Sequence, residues 1–344
     1  MNTNKFGLHH VTAVAADAAL SKHIFSDVLK LRLVRKSITP TDPRGYHLYF
    51  GDEFGSPGSL LTVMSPRCSK AGRIGAGQAT IIQFSILVGT LEFWRSRLQR
   101  HNCQHILDET LFGDERALFL LPNGLLIALI ENDGDKRKPW VSSDIGTAYA
   151  IRGLYGVTLA QQSTASLPDL LTDTFGYIQE DIEAVGATIQ YRFRLPDADA
   201  SVIDLQVDPN MARGFKGTGT IDHIGLYVGS DDEQRRLRQG LISAGLLASE
   251  IIDEQYTVSV SARTAGGLAI EVSRSKAGGF TVDENLKDLG NALCLPAGLE
   301  AQRKTDRRIT PKTGLMRRDD SNRSKFTYDL EKIIVNPTSE LSVN

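Results

Sequence analysis

The sequence predicts an α+β protein built from four βαβββ modules that pair into two domains with curved, mixed sheets. Three observations carry that prediction. The length of 344 residues fits two domains, since a domain usually takes roughly 100–200 residues. One order of elements, a β-rich run, an amphipathic stretch and further strands, returns four times along the chain. The composition, 41% hydrophobic and 23% charged, supplies enough apolar material for real cores.

Module one opens with Leu8-His9-His10-Val11-Thr12-Ala13-Val14-Ala15, a β-rich run. Ala18, Leu20, Ile24, Phe25, Val28 and Leu29 then recur near helical spacing. Leu31–Ile38, Tyr46–Phe50 and Leu60–Met64 read as strands, with Gly55-Ser56-Pro57-Gly58 turning the chain before the last. Module two begins at Thr80–Leu87, places a helix at Leu91–Arg100, and continues through strands near His105–Glu109, Ala117–Leu121 and Leu125–Ile130. Module three starts at Ile151–Leu159, with a helix near Ser166–Phe175 and strands near Gln190–Arg194 and Val202–Val207. Module four starts at Thr220–Val228, carries a helix over Asp232–Ala244, and ends on Leu268–Val272, entered through Gly266-Gly267.

Aligned without gaps inside strands, the four first strands place His10, Gln83, Gly156 and His223 at one equivalent position, 73, 73 and 67 residues apart. The four last strands place Thr62, Ala128, Val207 and Glu271 at a second. Asp144–Arg152 reads as the link between halves. Residues 1–145 thus hold modules one and two as an N-terminal domain, and residues 146–295 hold modules three and four as a C-terminal one. From 296 to 344 the pattern fades into charged runs such as Gln302-Arg303-Lys304-Thr305-Asp306-Arg307-Arg308, which read as a solvated, partly ordered tail.

Several function classes drop out. A net charge of −2 and a pI near 6.4 give no footprint for nucleic acid or an anionic membrane. No stretch approaches the 18 or so apolar residues of a membrane span, and the N-terminus lacks the apolar core of a secretory signal. Cys68, Cys103 and Cys294 are scattered and odd in number, which fits free thiols and a cytoplasmic location rather than a disulfide framework. Cys103 is expected to be a small packing residue and not a nucleophile.

A lone histidine on a strand is usually structural. The repeat changes that weighing, because His10 and His223 share one position in modules one and four. Glu271 lies in an apolar strand, and a carboxylate there must be paired, ligated or protonated. If modules one and four face each other, His10, Thr62, His223 and Glu271 converge. Three are good ligands and threonine is a poor one, which leaves an open 2-His-1-carboxylate set suited to Fe(II) oxygen chemistry, with Mn(II) as the second choice. Gln83, Ala128, Gly156 and Val207 could make no comparable site.

The runs Leu8-His9-His10-Val11-Thr12-Ala13 and Tyr46-His47-Leu48-Tyr49-Phe50-Gly51-Asp52-Glu53-Phe54-Gly55-Ser56-Pro57-Gly58 resemble ring-cleaving dioxygenases of the vicinal oxygen chelate (glyoxalase/extradiol dioxygenase) superfamily. Ile221-Asp222-His223-Ile224 and Gly266-Gly267-Leu268-Ala269-Ile270-Glu271-Val272 extend the resemblance, which covers roughly residues 7–300 and is nearest to the hydroquinone-type, quinone-detoxifying branch. It implies His10, His223 and Glu271 as metal ligands, and a small aromatic diol and O2 as reactants. Thr12 falls on the His10 face by strand alternation and is a candidate pocket residue. His9 falls on the opposite face unless the strand is bulged, and His47 is expected to be structural.

The chain departs from that pattern near the site. Glu254 and Ser261 stand where an arginine and a tyrosine are expected, and Asp222 replaces a histidine before the second ligand; Tyr256 is the remaining nearby candidate for a catalytic role. The alternatives are a glyoxalase-like isomerase, lyase or thiol transferase, and a non-catalytic binding protein on the same scaffold. Exposed sheets of this kind are compatible with a homo-oligomer.

Overall fold

A computed structural model describes residues 5–39, 42–142, 144–164 and 166–300. The charged tail expected from residue 296 therefore lies outside the described residues from 301 onward. Module one consists of a two-residue strand β1 (Lys5–Phe6), β2 (Leu8–Val14), α1 (Ala18–Lys22) running on as a π-helix over His23–Val28, β3 (Arg32–Ile38), β4 (Tyr46–Gly51) and β5 (Leu60–Ser65). Module two is β6 (Gln78–Ile86), α2 (Leu91–Arg100), β7 (Gln104–Leu111), β8 (Asp114–Leu120) and β9 (Leu126–Glu131). Module three is β10 (Gly153–Gln161), α3 (Leu167–Asp169) running on as a π-helix over Leu170–Thr174, β11 (Ile178–Val185), β12 (Thr188–Arg194), the short β13 (Ala198–Asp199) and β14 (Val202–Val207). Module four is β15 (Thr220–Tyr227), α4 (Asp231–Ser243), β16 (Ile252–Asp253), β17 (Thr257–Arg263) and β18 (Ala269–Ser275).

Helices α1 and α4 begin where their sequences provide side-chain caps. Asp17 Oδ1 accepts from the backbone of Ala19 and Leu20 at the start of α1. Ser230 Oγ accepts from Glu233 N at the start of α4, whose first turn carries Asp231, Asp232 and Glu233 against the positive end of the helix.

Two eight-stranded sheets form, in the orders β16-β17-β18-β15-β2-β5-β4-β3 and β11-β12-β14-β10-β6-β9-β8-β7. At the centre of each, two first strands run antiparallel (β15 with β2, β10 with β6), and each module's last strand lies parallel beside its own first. Modules one and four thus share one sheet, and modules two and three the other. The expected division at residue 145 does not separate the sheets, because each draws on both sides of it. A module leaves the edge of its first strand unpaired, and that edge must be covered. The repeat itself does not say which other module covers it.

Both sheets turn one face onto a common apolar layer. Val11, Ala13, Leu61, Val63, Ile224 and Leu226 from one sheet and Ile82, Phe84, Ile127, Leu129, Leu159 and Leu205 from the other are buried in a single cluster. Arg137, held by Asp135 at 2.6 Å, donates to Gly58 O at 2.9 Å and Leu154 O at 2.7 Å, so one guanidinium fastens modules one and three together.

The central pairs are bulged in matching places. Register slips by one at His9 and Asp222 in one sheet, and at Thr80 and Tyr155 in the other. Matching bulge to bulge makes Ile81, not Gln83, the equivalent of His10, and Gly156 the equivalent of His223. Glu271 pairs with Gly225, two residues beyond His223; Asp204 pairs with Thr158, two residues beyond Gly156. Asp204 is therefore the counterpart of Glu271, and the gap-free alignment with Val207 was displaced by three residues. Thr62 and Ala128 keep their equivalence, since they pair with Thr12 and Gln83 at matching positions.

Beyond β18, residues 276–295 cross the concave face of the first sheet. Phe280 packs on Tyr256 beside β17 and on Tyr49 of β4, at ring separations of 5.0 and 5.5 Å. The fully buried Arg35 pairs with Asp283 and with Glu284 at 3.2 Å, and Leu293 bridges to Lys36. This strap joins two margins of the sheet over its hollow.

Candidate metal centre

His10, His223 and Glu271 come together on the concave face of the first sheet. Each offers one ligand atom within 4.8 Å of the others. His10 Nε2 and His223 Nε2 are 3.0 Å apart, and Glu271 Oε2 is 3.6 Å from His223 Nε2. Gly225, between His10 and Glu271 across three strands, leaves room for the His10 ring: a Cβ there would lie 2.4 Å from His10 Cε1 and Nδ1.

The bulges fix what surrounds the imidazoles. At His9 the extra residue brings both histidines of the pair into contact, with His9 Nδ1 3.0 Å from His10 Nδ1 and His9 Nε2 2.8 Å from Ser275 Oγ. His9 thus packs against the ligand candidate, as the bulge condition allows, and not on the far face. At the second bulge His223 Nδ1 donates to Asp222 Oδ2 at 2.9 Å, and Asp222 also pairs with Lys216. The aspartate that looked like a departure in sequence takes the place of His9: each residue before a ligand candidate bonds its Nδ1.

These partners leave one tautomer set in which both Nε2 atoms are free to ligate. Burial first, and then the neighbouring His10, holds His9 neutral with a pKa of about 3. In the tautomer where His9 Nε2–H is given to the Ser275 hydroxyl, His9 Nδ1 accepts and His10 Nδ1–H donates, leaving His10 Nε2 free to ligate. His223 Nδ1–H is given to Asp222. Both Nε2 lone pairs then point at one another across 3.0 Å with the Glu271 carboxylate beside them. Two lone pairs and an anion repel unless a positive centre lies among them, so this donor set fits a divalent cation. Ser273 Oγ donates to Glu271 Oε1 at 2.5 Å and orients the carboxylate.

Thr12 lies opposite His223 and begins a chain of hydroxyls. Its Oγ1 is 2.9 Å from Thr62 Oγ1; His47 Nε2 is 2.9 Å from Thr62 Oγ1; Tyr49 O–H is 3.0 Å from His47 Nδ1. Burial, followed by the neighbouring His223, lowers His47 to about 3, and burial chiefly raises Tyr49 above its ordinary value. A neutral His47 therefore links the Tyr49 phenol to the Thr62 hydroxyl, one of its nitrogens donating and the other accepting. The sequence reading set His47 aside and did not single out Tyr49; their two-residue spacing on one strand face was the available signal.

Tyr256 lies elsewhere in the network. Its hydroxyl donates to Asp283, its ring packs on Phe280, and the Arg35 guanidinium lies 4.4 Å from the ring centre. Ser261 does sit across from Glu271. Packing around its carboxyl, and then the charge of Glu271, raises the pKa of Glu254. Cys103 is buried, and burial pushes its thiol up to about 12, as a packing residue requires. No helix among the described residues is long and apolar enough to cross a membrane.

The counterpart position in the second sheet is filled by ion pairs. Asp204, fully buried, accepts from Arg192 Nε at 2.8 Å and Nη2 at 3.0 Å and from Gln83 Nε2 at 2.8 Å. Its partners at the histidine positions are Ile81 and Gly156, which offer no ligand.

No protein-family model matches the chain. A Bacillus subtilis (strain 168) protein named "Putative ring-cleaving dioxygenase MhqE" is 34% identical over 307 residues, spanning 89% of this chain and 98% of that protein. The chain belongs to this family of ring-cleaving dioxygenases. A chlorohydroquinone/hydroquinone 1,2-dioxygenase of Sphingobium indicum is 29% identical over 303 residues, 86% of this chain and 92% of the other. Among solved structures, a dioxygenase of Bacillus subtilis described as putative superposes with a TM-score of 0.81 at 29% identity, over 88% of this chain and 95% of that one. Glyoxalase I from Zea mays superposes with a TM-score of 0.59 at 13% identity, over 79% and 92%. That likeness shows the glyoxalase-type fold, two curved mixed sheets, for this family member.

Proposed function

We propose that this family member cleaves the ring of a hydroquinone- or catechol-like aromatic with O2, using one divalent metal held by His10, His223 and Glu271. Fe(II) is the first choice and Mn(II) the second. The observation that carries the reading is the pair of Nε2 atoms converging beside a carboxylate oxygen, in a chain whose relatives bear ring-cleaving names. A divalent ion held by these three residues would supply Lewis-acid binding of the diol oxygens and of O2.

The protein's own residues do the rest. His9 and Asp222 hold the Nδ1 sides of the two imidazoles, and Ser273 aims Glu271. Thr12 and Thr62 wall the pocket beside His223, and the Tyr49 phenol holds a proton at the end of the chain that reaches Thr62 through His47. The strap, with Phe280 over Tyr49, limits water at the ring-binding hollow. Tyr256 and Arg35 anchor that strap rather than touch the diol.

Oxygen uptake by Fe(II)-loaded protein against a panel of hydroquinones and catechols tests the reading. It predicts stoichiometric O2 consumption with at least one diol. A protein that retains zinc or nickel and consumes no oxygen on any of them would point instead to the isomerase or lyase chemistry of the same scaffold.

A further inference from the structure

Beside His223 a groove of about 200 Å3 opens, lined among others by Asp222, His223, Ala269, Arg213, Lys216 and Arg263. Strand alternation puts Arg263 on the same face as the candidate ligands. Ser261 pairs with Glu271 and Arg263 with Ala269, so the arginine is one pleat, about 7 Å, along the strand. Its Nη1 donates to Gly267 O at 2.6 Å, and it has no carboxylate partner among the described residues. Arg213 reaches the same turn from the other side: its Nη2 lies 3.4 Å from where a Cβ on Gly267 would be. Its guanidinium has no hydrogen-bond partner among the described residues.

The acid named in this groove lining, Asp222, is occupied by His223 and Lys216. Two guanidiniums therefore converge on one turn with no free counter-charge, next to the place where the substrate ring would bind. Their mutual repulsion is relieved by an anion between them, and guanidiniums match a carboxylate in shape as well as charge. Phe215, half exposed in the same lining beneath the Arg73 guanidinium, adds a flat apolar wall.

We propose that this groove binds an anionic substituent of the substrate, so that the preferred compounds are acidic aromatic diols carrying a carboxylate on the ring. The proposal rests on the metal-centre reading only for where the ring sits. It is tested by calorimetric titration of metal-loaded protein without oxygen, comparing 2,5-dihydroxybenzoate with hydroquinone. The acid is expected to bind about tenfold tighter, as one charge-assisted pair provides, and high salt should erode the preference. In an Arg213→Gln/Arg263→Gln double variant, the preference should fall to within about twofold.

Equal affinities in the unaltered protein, or a preference that survives in the double variant, would overturn the proposal. Benzoate, which has the anion but no diol, reads the groove without the metal. Benzoate binding that is lost in the double variant, in a protein that takes up no metal, would support the groove while sinking the metal centre.

Discussion

Gly225 sits on β15 with His10 across one side and Glu271 across the other. Replacing it with alanine places a Cβ 2.4 Å from His10 Cε1 and Nδ1 and 3.1 Å from Cγ. Gly225 is not among the positive-φ glycines, so alanine meets no backbone strain and the whole effect is steric. Restoring ordinary contact requires the imidazole to retreat by about 1 Å, in a buried site with little slack. Overpacking of this kind costs about 1–3 kcal/mol, and the stiffer unfolded chain offsets about 0.4–1 kcal/mol of it. The loss in stability should thus be modest, whereas a ligand ring moved by that distance should weaken metal binding about 10–100-fold, as loss of an orienting partner does. Competition titration with a metal indicator, beside a thermal melt, separates the two effects. Metal affinity unchanged within about twofold in a folded Gly225→Ala protein would refute the steric reasoning and the place given to His10.

Three further perturbations follow from the same geometry. Asp222→Asn removes the charge that holds His223 Nδ1–H, and metal affinity measured the same way should drop about 10–100-fold; no change would mean that the bulge alone positions the ring. Asp204→Ala should destabilise the protein by about 1–3 kcal/mol in denaturant melts, since buried donors of Arg192 and Gln83 lose their acceptor while Arg192 keeps Asp114 and Arg116 keeps Glu109, and metal content should stay unchanged; lost metal would show that the second sheet is not merely structural. Burial alone would raise the Asp135 carboxyl, but the bonds from Arg137 and Ser85 outweigh it and hold the pKa below the usual range. A depressed carboxylate contributes stability that is present above the unfolded value near about 4 and lost as pH falls through the folded one. The melting difference between unaltered protein and Asp135→Asn should therefore persist from pH 7 to about 5 and shrink below about 4; a difference that grows on acidification would contradict it.

Much of the fold was legible because module order is written in turns and apolar runs: α2 and β14 fall where the sequence places them, at Leu91–Arg100 and Val202–Val207. The strand β11 was not legible. Its Ile178-Gln179-Glu180-Asp181-Ile182 run is mostly exposed and acidic, as suits the margin of a sheet, and so lacks a buried face to announce itself. β17 was readable in its Val258, Val260 and Ala262 alternation but was not singled out. The metal candidates were legible because His10 and His223 repeat one position and Glu271 interrupts an apolar strand.

Their surroundings were not, for a specific reason. A bulge adds a residue without any side-chain signature, so gap-free alignment misplaced Gln83 and overlooked Asp204. The same bulges turn His9 and Asp222 toward their neighbours, which alternation alone would forbid. Pairing of modules one with four is a tertiary choice; the facing histidines were its trace in the sequence, while the simple division into halves was not followed by the sheets.

Metal stoichiometry of the Fe(II)-reconstituted protein, measured beside the His223→Ala variant, tests the proposed centre most directly. The account predicts about one equivalent per chain in the unaltered protein and close to none in the variant, because one imidazole and a carboxylate cannot hold the ion. Equal metal content in the two, with both folded, would contradict it.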